Sequence, residues 1–132
     1  MKRKSFEEIY KKLLDCSFNE SFDLIVGIAR GGIIPAGIVV QLLNIPVKII
    51  NVNYRDDSHS PIYDDPKLLD EIDFNYINKN ILIVDDVSRS GKTINFVREL
   101  LKKAKIIKTF VINGNADYYL FNEECFKMPW IL

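Results

Sequence analysis

Residues 81–93 read I-L-I-V-D-D-V-S-R-S-G-K-T. Four apolar residues lead into two adjacent acids, Asp85 and Asp86, and then into a short turn of hydroxyl, basic and glycine residues. Paired carboxylates accept hydrogen bonds from vicinal sugar hydroxyls, and one of them can reach Mg²⁺ directly or through water. In the turn, Gly91 permits a tight bend, and Ser90 and Thr93 offer hydroxyls at the start of a helix, where backbone N–H groups attract phosphate. A helix cap would account for one acid, but not for two in a row before a glycine turn. These residues suit the holding of a phosphorylated sugar. A nucleoside-triphosphate loop is the rival, because the run ends S-G-K-T. That motif, G-x-x-x-x-G-K-[ST], needs glycine where Asp86 stands, and an acid there would repel the phosphates.

A second run, residues 23–36, reads D-L-I-V-G-I-A-R-G-G-I-I-P-A. Gly31 and Gly32 let backbone N–H groups approach a ligand, and Arg30 supplies a forked cation for phosphate. Taken alone, the same run reads equally well as a tight strand-to-helix turn with a surface arginine.

The elements that must position these residues follow from pattern. Ser5 and Glu8 form a capping box, and Phe6, Ile9, Tyr10, Leu13 and Leu14 fall on one helical face. Residues 22–28 read as a buried strand. Residues 33–43 read as a helix with Pro35 in its first turn, apolar nearly all round and therefore expected to be buried. Residues 47–52 read as a strand, and residues 53–66 as a long polar loop that suits a lid. Strand 81–84, helix 93–103 and strand 106–112 complete the series. Strands alternating with helices, several strands wholly apolar, predict an α/β fold with a mostly parallel sheet covered on both faces. Ligands sit beyond the carboxyl ends of such strands, where both runs of interest lie.

With 132 residues the chain fits one domain, 1–132. Lys plus Arg equals Asp plus Glu at 18 each, which argues against a nucleic-acid partner. Its two cysteines, Cys16 and Cys125, lack partnered spacing and read as reduced thiols in a cytoplasmic protein. The charged first ten residues carry no secretory pattern, and the apolar stretch 24–50 is too broken by Arg30, glycines and prolines to span a membrane.

Residues 81–93 resemble the phosphoribosyl-pyrophosphate (PRPP) signature of type I phosphoribosyltransferases. Residues 23–36 are similar to the same family's pyrophosphate loop, and the resemblance extends from Phe22 to Trp130. The short xanthine–guanine and hypoxanthine type looks most alike, with residues 47–57 matching its central strand and mobile loop, and 117–119 and 128–130 its base-covering hood. The resemblance implies a core of about 20–113, a flexible loop of about 53–66 and a minimal C-terminal hood of about 114–132. It implies that Asp85 and Asp86 hold the ribose hydroxyls, with Asp86 toward Mg²⁺. Val87, Ser88, Arg89, Ser90, Gly91, Lys92 and Thr93 would wrap the 5′-phosphate. Ala29, Arg30, Gly31 and Gly32 would hold the pyrophosphate, with a cis peptide expected between Ala29 and Arg30. Arg30, Asp85 and Asp86 would carry catalysis, Tyr54 and Arg55 would close over the site, and Asn113, Phe126 and Trp130 would face the base. His59, in the same loop, reads as a solvated side chain. The family habit also implies a homodimer.

The base-reading positions differ from the purine pattern. Arg89 stands where purine enzymes carry an aspartate, Asn113 where they carry a lysine, and Cys125 and Ile131 replace a tryptophan and an acid. Phe126 and Trp130 could stack on a ring or form a hydrophobic plug. Two functions are open at this point. One is transfer of phosphoribosyl from PRPP to a nitrogenous base, such as a 6-oxopurine in nucleotide salvage. The other is a PRPP-binding regulatory protein without catalysis.

Overall fold

The computed structural model describes residues 1–53 and 65–132. The lid expected over 53–66, with Tyr54, Arg55 and His59, therefore lies almost wholly outside the described residues. Helix α1 (Phe6–Leu14) opens on the expected capping box: the Glu8 N–H donates to Ser5 Oγ at 3.1 Å and the Ser5 N–H to Glu8 Oε1 at 3.2 Å. Then come β1 (Leu24–Ala29), α2 (Ile33–Leu43), β2 (Val47–Asn53), β3 (Lys67–Leu68), β4 (Asn80–Ser88), α3 (Lys92–Leu100), β5 (Ile106–Gly114) and β6 (Tyr118–Phe121). α2 ends at Asn44 in the left-handed region, and Pro46 prevents its continuation.

The six strands form one sheet in the order β3-β2-β1-β4-β5-β6. All neighbours are parallel except β2 and β3. β1 and β4 are central and their apolar residues alternate between two cores. Ile25, Leu82, Val84, Phe110 and Ile112 face α1 and α2, while Leu24, Val26, Ile81, Ile83 and Val111 face α3. This is the expected α/β architecture. Among the described residues no helix is long and apolar enough to cross a membrane. Cys16 and Cys125 are both free thiols, and burial pushes the Cys16 thiol above its ordinary pKa.

Three features differ from the sequence reading. β4 and β5 each run past their apolar segment, so the acid pair lies in a strand rather than in the loop after one. β3 and β6 had no clear signal, being two and four residues long. β6 is parallel to β5 although only residues 115–117 join them, far short of the usual crossover. Asp117 holds that return: its Oδ2 accepts from the Thr109 N–H at 2.9 Å and from Thr109 Oγ1 at 3.0 Å. Finally, α2 is not buried all round. Only Pro35, Ala36 and Val39 are buried, because the helix lies on the sheet by one face and nothing among the described residues covers the other.

Candidate active site

The three helices start differently. α1 caps itself and places Glu7 and Glu8 in its first turn. α2 and α3 start from Gly32 and Gly91, with no side-chain cap and no acid in the first turn. Both start at the carboxyl edge of the sheet, after β1 and β4. Uncapped N–H groups and the positive end of the helix dipole favour an anion there, and a first-turn acid would compete with it. Gly91 has φ +80°, which an L side chain rarely adopts, and the Lys92 N–H bonds to Ser90 Oγ at 3.3 Å.

Alternation along β4 separates the acid pair. Asp86 continues the Leu82 and Val84 row toward α2, and Asp85 continues the Ile81 and Ile83 row toward α3. The repulsion expected of adjacent acids is reduced in this way. Asp85 is 8% exposed; its Oδ1 accepts from the Asp86 N–H at 2.8 Å, and Asp86 Oδ1 accepts from the Val87 N–H at 2.8 Å. Backbone donors thus orient both carboxylates.

The loop after β1 folds over this pair. A Cβ on Gly31 would lie 2.5 Å from the Asp86 carboxylate. A Cβ on Gly32 would lie 2.5 Å from the Val84 carbonyl oxygen and 2.6 Å from that of Ile28. The Gly32 N–H donates to Ile28 O at 2.7 Å, and the Ile33 N–H to Arg30 O at 3.1 Å. The Ala29–Arg30 peptide is cis, as expected. The structure therefore brings residues 29–32, Asp85, Asp86 and the 88–93 turn together at one edge of the sheet.

The positions expected to read a base are arranged differently. Asn113 is 1% exposed and its amide is committed to the hood. Its Oδ1 accepts from the Glu123 N–H at 3.1 Å, while Nδ2 donates to Glu123 O at 3.3 Å and Glu124 O at 3.4 Å. Phe126 is buried edge-to-face against Phe121, with the Lys4 ammonium 5.0 Å from its ring centre. Trp130 packs on Phe6 of α1 at 5.9 Å. Phe126 thus helps to close the core of the hood, while Trp130 is half-buried against the exposed Phe6.

Sequence reasoning missed the N-terminal contribution. Lys4 Nζ lies 2.9 Å from Glu123 Oε1 and 4.5 Å from the Phe121 ring centre. The Lys4 N–H donates to Lys127 O at 3.1 Å, and Arg3 Nη1 donates to Ile131 O at 2.7 Å. No local pattern links residues 4 and 123; the fold alone brings them together. Asn113→Ala is expected to leave the Glu123 and Glu124 groups short of partners and cost about 1–3 kcal/mol. Thermal unfolding checks this, with the melting temperature falling by several degrees.

The chain matches the phosphoribosyl transferase domain family over residues 3–130. It is 30% identical over 110 residues to a xanthine-guanine phosphoribosyltransferase of Idiomarina loihiensis, covering 80% of this chain and 68% of that protein. Among solved structures, the purine phosphoribosyltransferase from Pyrococcus horikoshii aligns at 30% identity with a TM-score of 0.80, covering 97% of this chain and 92% of that one. The Helicobacter pylori xanthine-guanine-hypoxanthine phosphoribosyltransferase shares the fold, with a TM-score of 0.77 at 18% identity over 98% of this chain and 92% of that one. A match along nearly its whole length, on top of the phosphate-ready helix ends and the acid pair, makes the chain a transferase of the phosphoribosyltransferase family.

Proposed function

We propose that the protein transfers the phosphoribosyl group of PRPP to a nitrogenous base of the 6-oxopurine class, releasing pyrophosphate, in purine salvage. The carrying observation is the pair of uncapped helix N-termini on either side of Asp85 and Asp86. The α2 start and Arg30 receive the pyrophosphate, and the 88–93 turn at the α3 start receives the 5′-phosphate. The purine class comes from the relatives, named for xanthine-guanine and purine transfer.

In this reaction a ring nitrogen bonds to the anomeric carbon as the carbon–oxygen bond to pyrophosphate breaks. The transition state resembles an oxocarbenium ion. Asp85 and Asp86 hold the ribose and favour its positive charge, and Arg30 with the Gly31 N–H neutralises the leaving group. When bound, Mg²⁺ supplies further charge neutralisation to the pyrophosphate. Asp86 would hold it together with substrate oxygens. Among the described residues no three His, Cys, Asp or Glu side chains gather into a metal cage. One carboxylate beside a diphosphate cradle is the donor set this ion takes when it binds with a substrate. Two free thiols fit a cytoplasmic setting.

A homodimer is part of the proposal. Ile33, Ile34 and Leu42 of α2, and Phe6, Tyr10 and Leu14 of α1, are exposed, and a groove between the two helices is lined by Phe6, Glu7, Ile9, Tyr10 and Ile38. A second copy would cover this apolar surface. Sedimentation is expected to show a dimer for the wild type and a monomer for Ile34→Asp with Leu42→Asp. A monomeric wild type would refute the dimer.

The activity test is direct. PRPP with Mg²⁺ is expected to raise the melting temperature, and an added purine to trigger pyrophosphate release. If PRPP gave no shift, the donor assignment would fail. If it gave a shift but none of a panel of purines, pyrimidines and amines released pyrophosphate, transfer itself would fail.

A further inference from the structure

The loop after β1 leans toward β4, where Gly31 meets Asp86 and Gly32 sits over the Val84 carbonyl. Its other flank faces β2. Ala29, the last residue of β1, is paired in register with Asn51. A Cβ on Gly27 would meet Ala36 of α2 at 2.8 Å and Ile49 of β2 at 2.9 Å, which places Ile49 on the α2 face of the sheet. Asn51 comes two residues later and shares that face, while Ile50 between them enters the core under α3. The start of α2 and Asn51 therefore stand on the same face and at the same edge of the sheet, on neighbouring strands. Neighbouring strands lie about 4.8 Å apart, so an asparagine amide reaches a ligand seated on the loop.

Asn51 is half-buried and held from two sides. Its backbone carbonyl accepts from the Leu69 N–H at 2.9 Å, and its Nδ2 donates to Asp70 Oδ2. An ionised carboxylate only accepts, so Asp70 fixes which end of the amide is nitrogen. That nitrogen carries two N–H groups. Asp70 takes one, and among the described residues nothing takes the other. Asp70 itself is exposed, so water and salt screen its charge from a nearby anion.

Pyrophosphate is rich in acceptor oxygens, and it gains negative charge as its bond to the anomeric carbon breaks. An N–H donor beside it stabilises the leaving group more in the transition state than in bound PRPP. A flipped amide would present Oδ1 instead and repel it. We infer that Asn51 is a pyrophosphate-binding residue of this transferase, and that Asp70 is the positioning residue that keeps its nitrogen end available. The inference rests on the donor reading above. It adds a donor from β2 to a cradle otherwise built on β1 and α2.

The probes are inorganic pyrophosphate with Mg²⁺, which fills only the leaving-group part of the site, and ribose 5-phosphate, which lacks that part. In titration calorimetry Asn51→Leu is expected to bind pyrophosphate about tenfold more weakly, as one lost hydrogen bond to a charged group predicts. Its affinity for ribose 5-phosphate is expected to stay unchanged. Asp70→Ala is expected to lose most of the same factor. Asp70→Asn is expected to restore it, because an amide oxygen at position 70 still accepts the Asn51 N–H. The kcat/KM for PRPP follows the same order. Pyrophosphate binding that Asn51→Leu leaves unchanged would overturn the inference. So would an equal loss of ribose 5-phosphate affinity, the mark of a purely structural clamp on the chain after β3, or an Asp70→Ala variant that matches Asp70→Asn. Should Asn51→Leu fail to fold, the two variants at the exposed Asp70 decide the matter. Any of these refutations, with PRPP still raising the melting temperature of the wild type, would leave the donor reading standing. Loss of that shift in the wild type would overturn both.

Discussion

Replacing Asp85 and Asp86 together by asparagine is expected to abolish the rise in melting temperature that PRPP and Mg²⁺ produce, and to lower phosphoribosyl transfer by about 10³-fold. Loss of one preorganised electrostatic contact in a transition state typically costs 10²–10³. In the proposed mechanism both carboxylates act on the developing cation, and the double substitution removes both charges at once. The fold should survive the change. Each amide oxygen can still accept the backbone N–H that now holds the carboxylate, from Asp86 and from Val87. Asp85 is 8% exposed, and a neutral side chain there carries a smaller desolvation cost than a charged one. The melting temperature of the unliganded variant is the baseline against which the loss of the PRPP shift is read. Calorimetry with and without PRPP separates the two effects. A variant that still shifts with PRPP would remove the acid pair from the site.

Gly32→Ala is expected to lower both stability and activity. Its Cβ would fall within 2.5 Å of Val84 O and 2.6 Å of Ile28 O, and 2.8 Å from Ile28 N. All three are backbone atoms of the two central strands, so no flexible side chain can yield. Overpacking of this kind typically costs about 1–3 kcal/mol, and here the loop must lift off the sheet. Lifting it carries the Gly31 and Arg30 groups away from Asp86, so transfer should fall by more than the stability loss explains. Gly31→Ala offers a contrast, because the three atoms nearest its Cβ all belong to the Asp86 carboxylate. That side chain can rotate, so stability should hold while activity falls. Gly37 serves as a control, with nothing within 4 Å of its Cβ position. Gly37→Ala in the α2 interior is expected to raise stability by about 0.5–1 kcal/mol. Circular-dichroism melts alongside pyrophosphate-release rates resolve all three. Equal melting temperatures for Gly32→Ala and the wild type would contradict the close approach.

Much of the fold follows from local pattern. The α2 span, Ile33–Leu43, coincides with the apolar run between Gly32 and Asn44. The Ser5 and Glu8 cap at α1 is written in four consecutive residues. Strand β1 and the 81–84 and 110–112 segments of β4 and β5 are recognisable because a strand buried on both faces is apolar there. β3 and β6 are too short to carry a period, and β6 depends on the bonds between Asp117 and Thr109.

The sequence by itself determined the donor side of this site: an apolar strand, two acids and a glycine turn, preceded by an arginine-glycine loop. Short-range chemistry suffices there, because helix ends, turns and adjacent acids act through neighbours along the chain. The tertiary structure decided everything that depends on pairs distant in sequence. It turned Asp85 and Asp86 to opposite faces of β4, and it exposed one side of α2. It committed Asn113 and Phe126 to the hood and brought Lys4 onto Glu123. It also carried Arg89 out of the phosphate turn to the Glu123 carbonyl. No periodicity encodes such contacts, because each is set by how the sheet orders its strands.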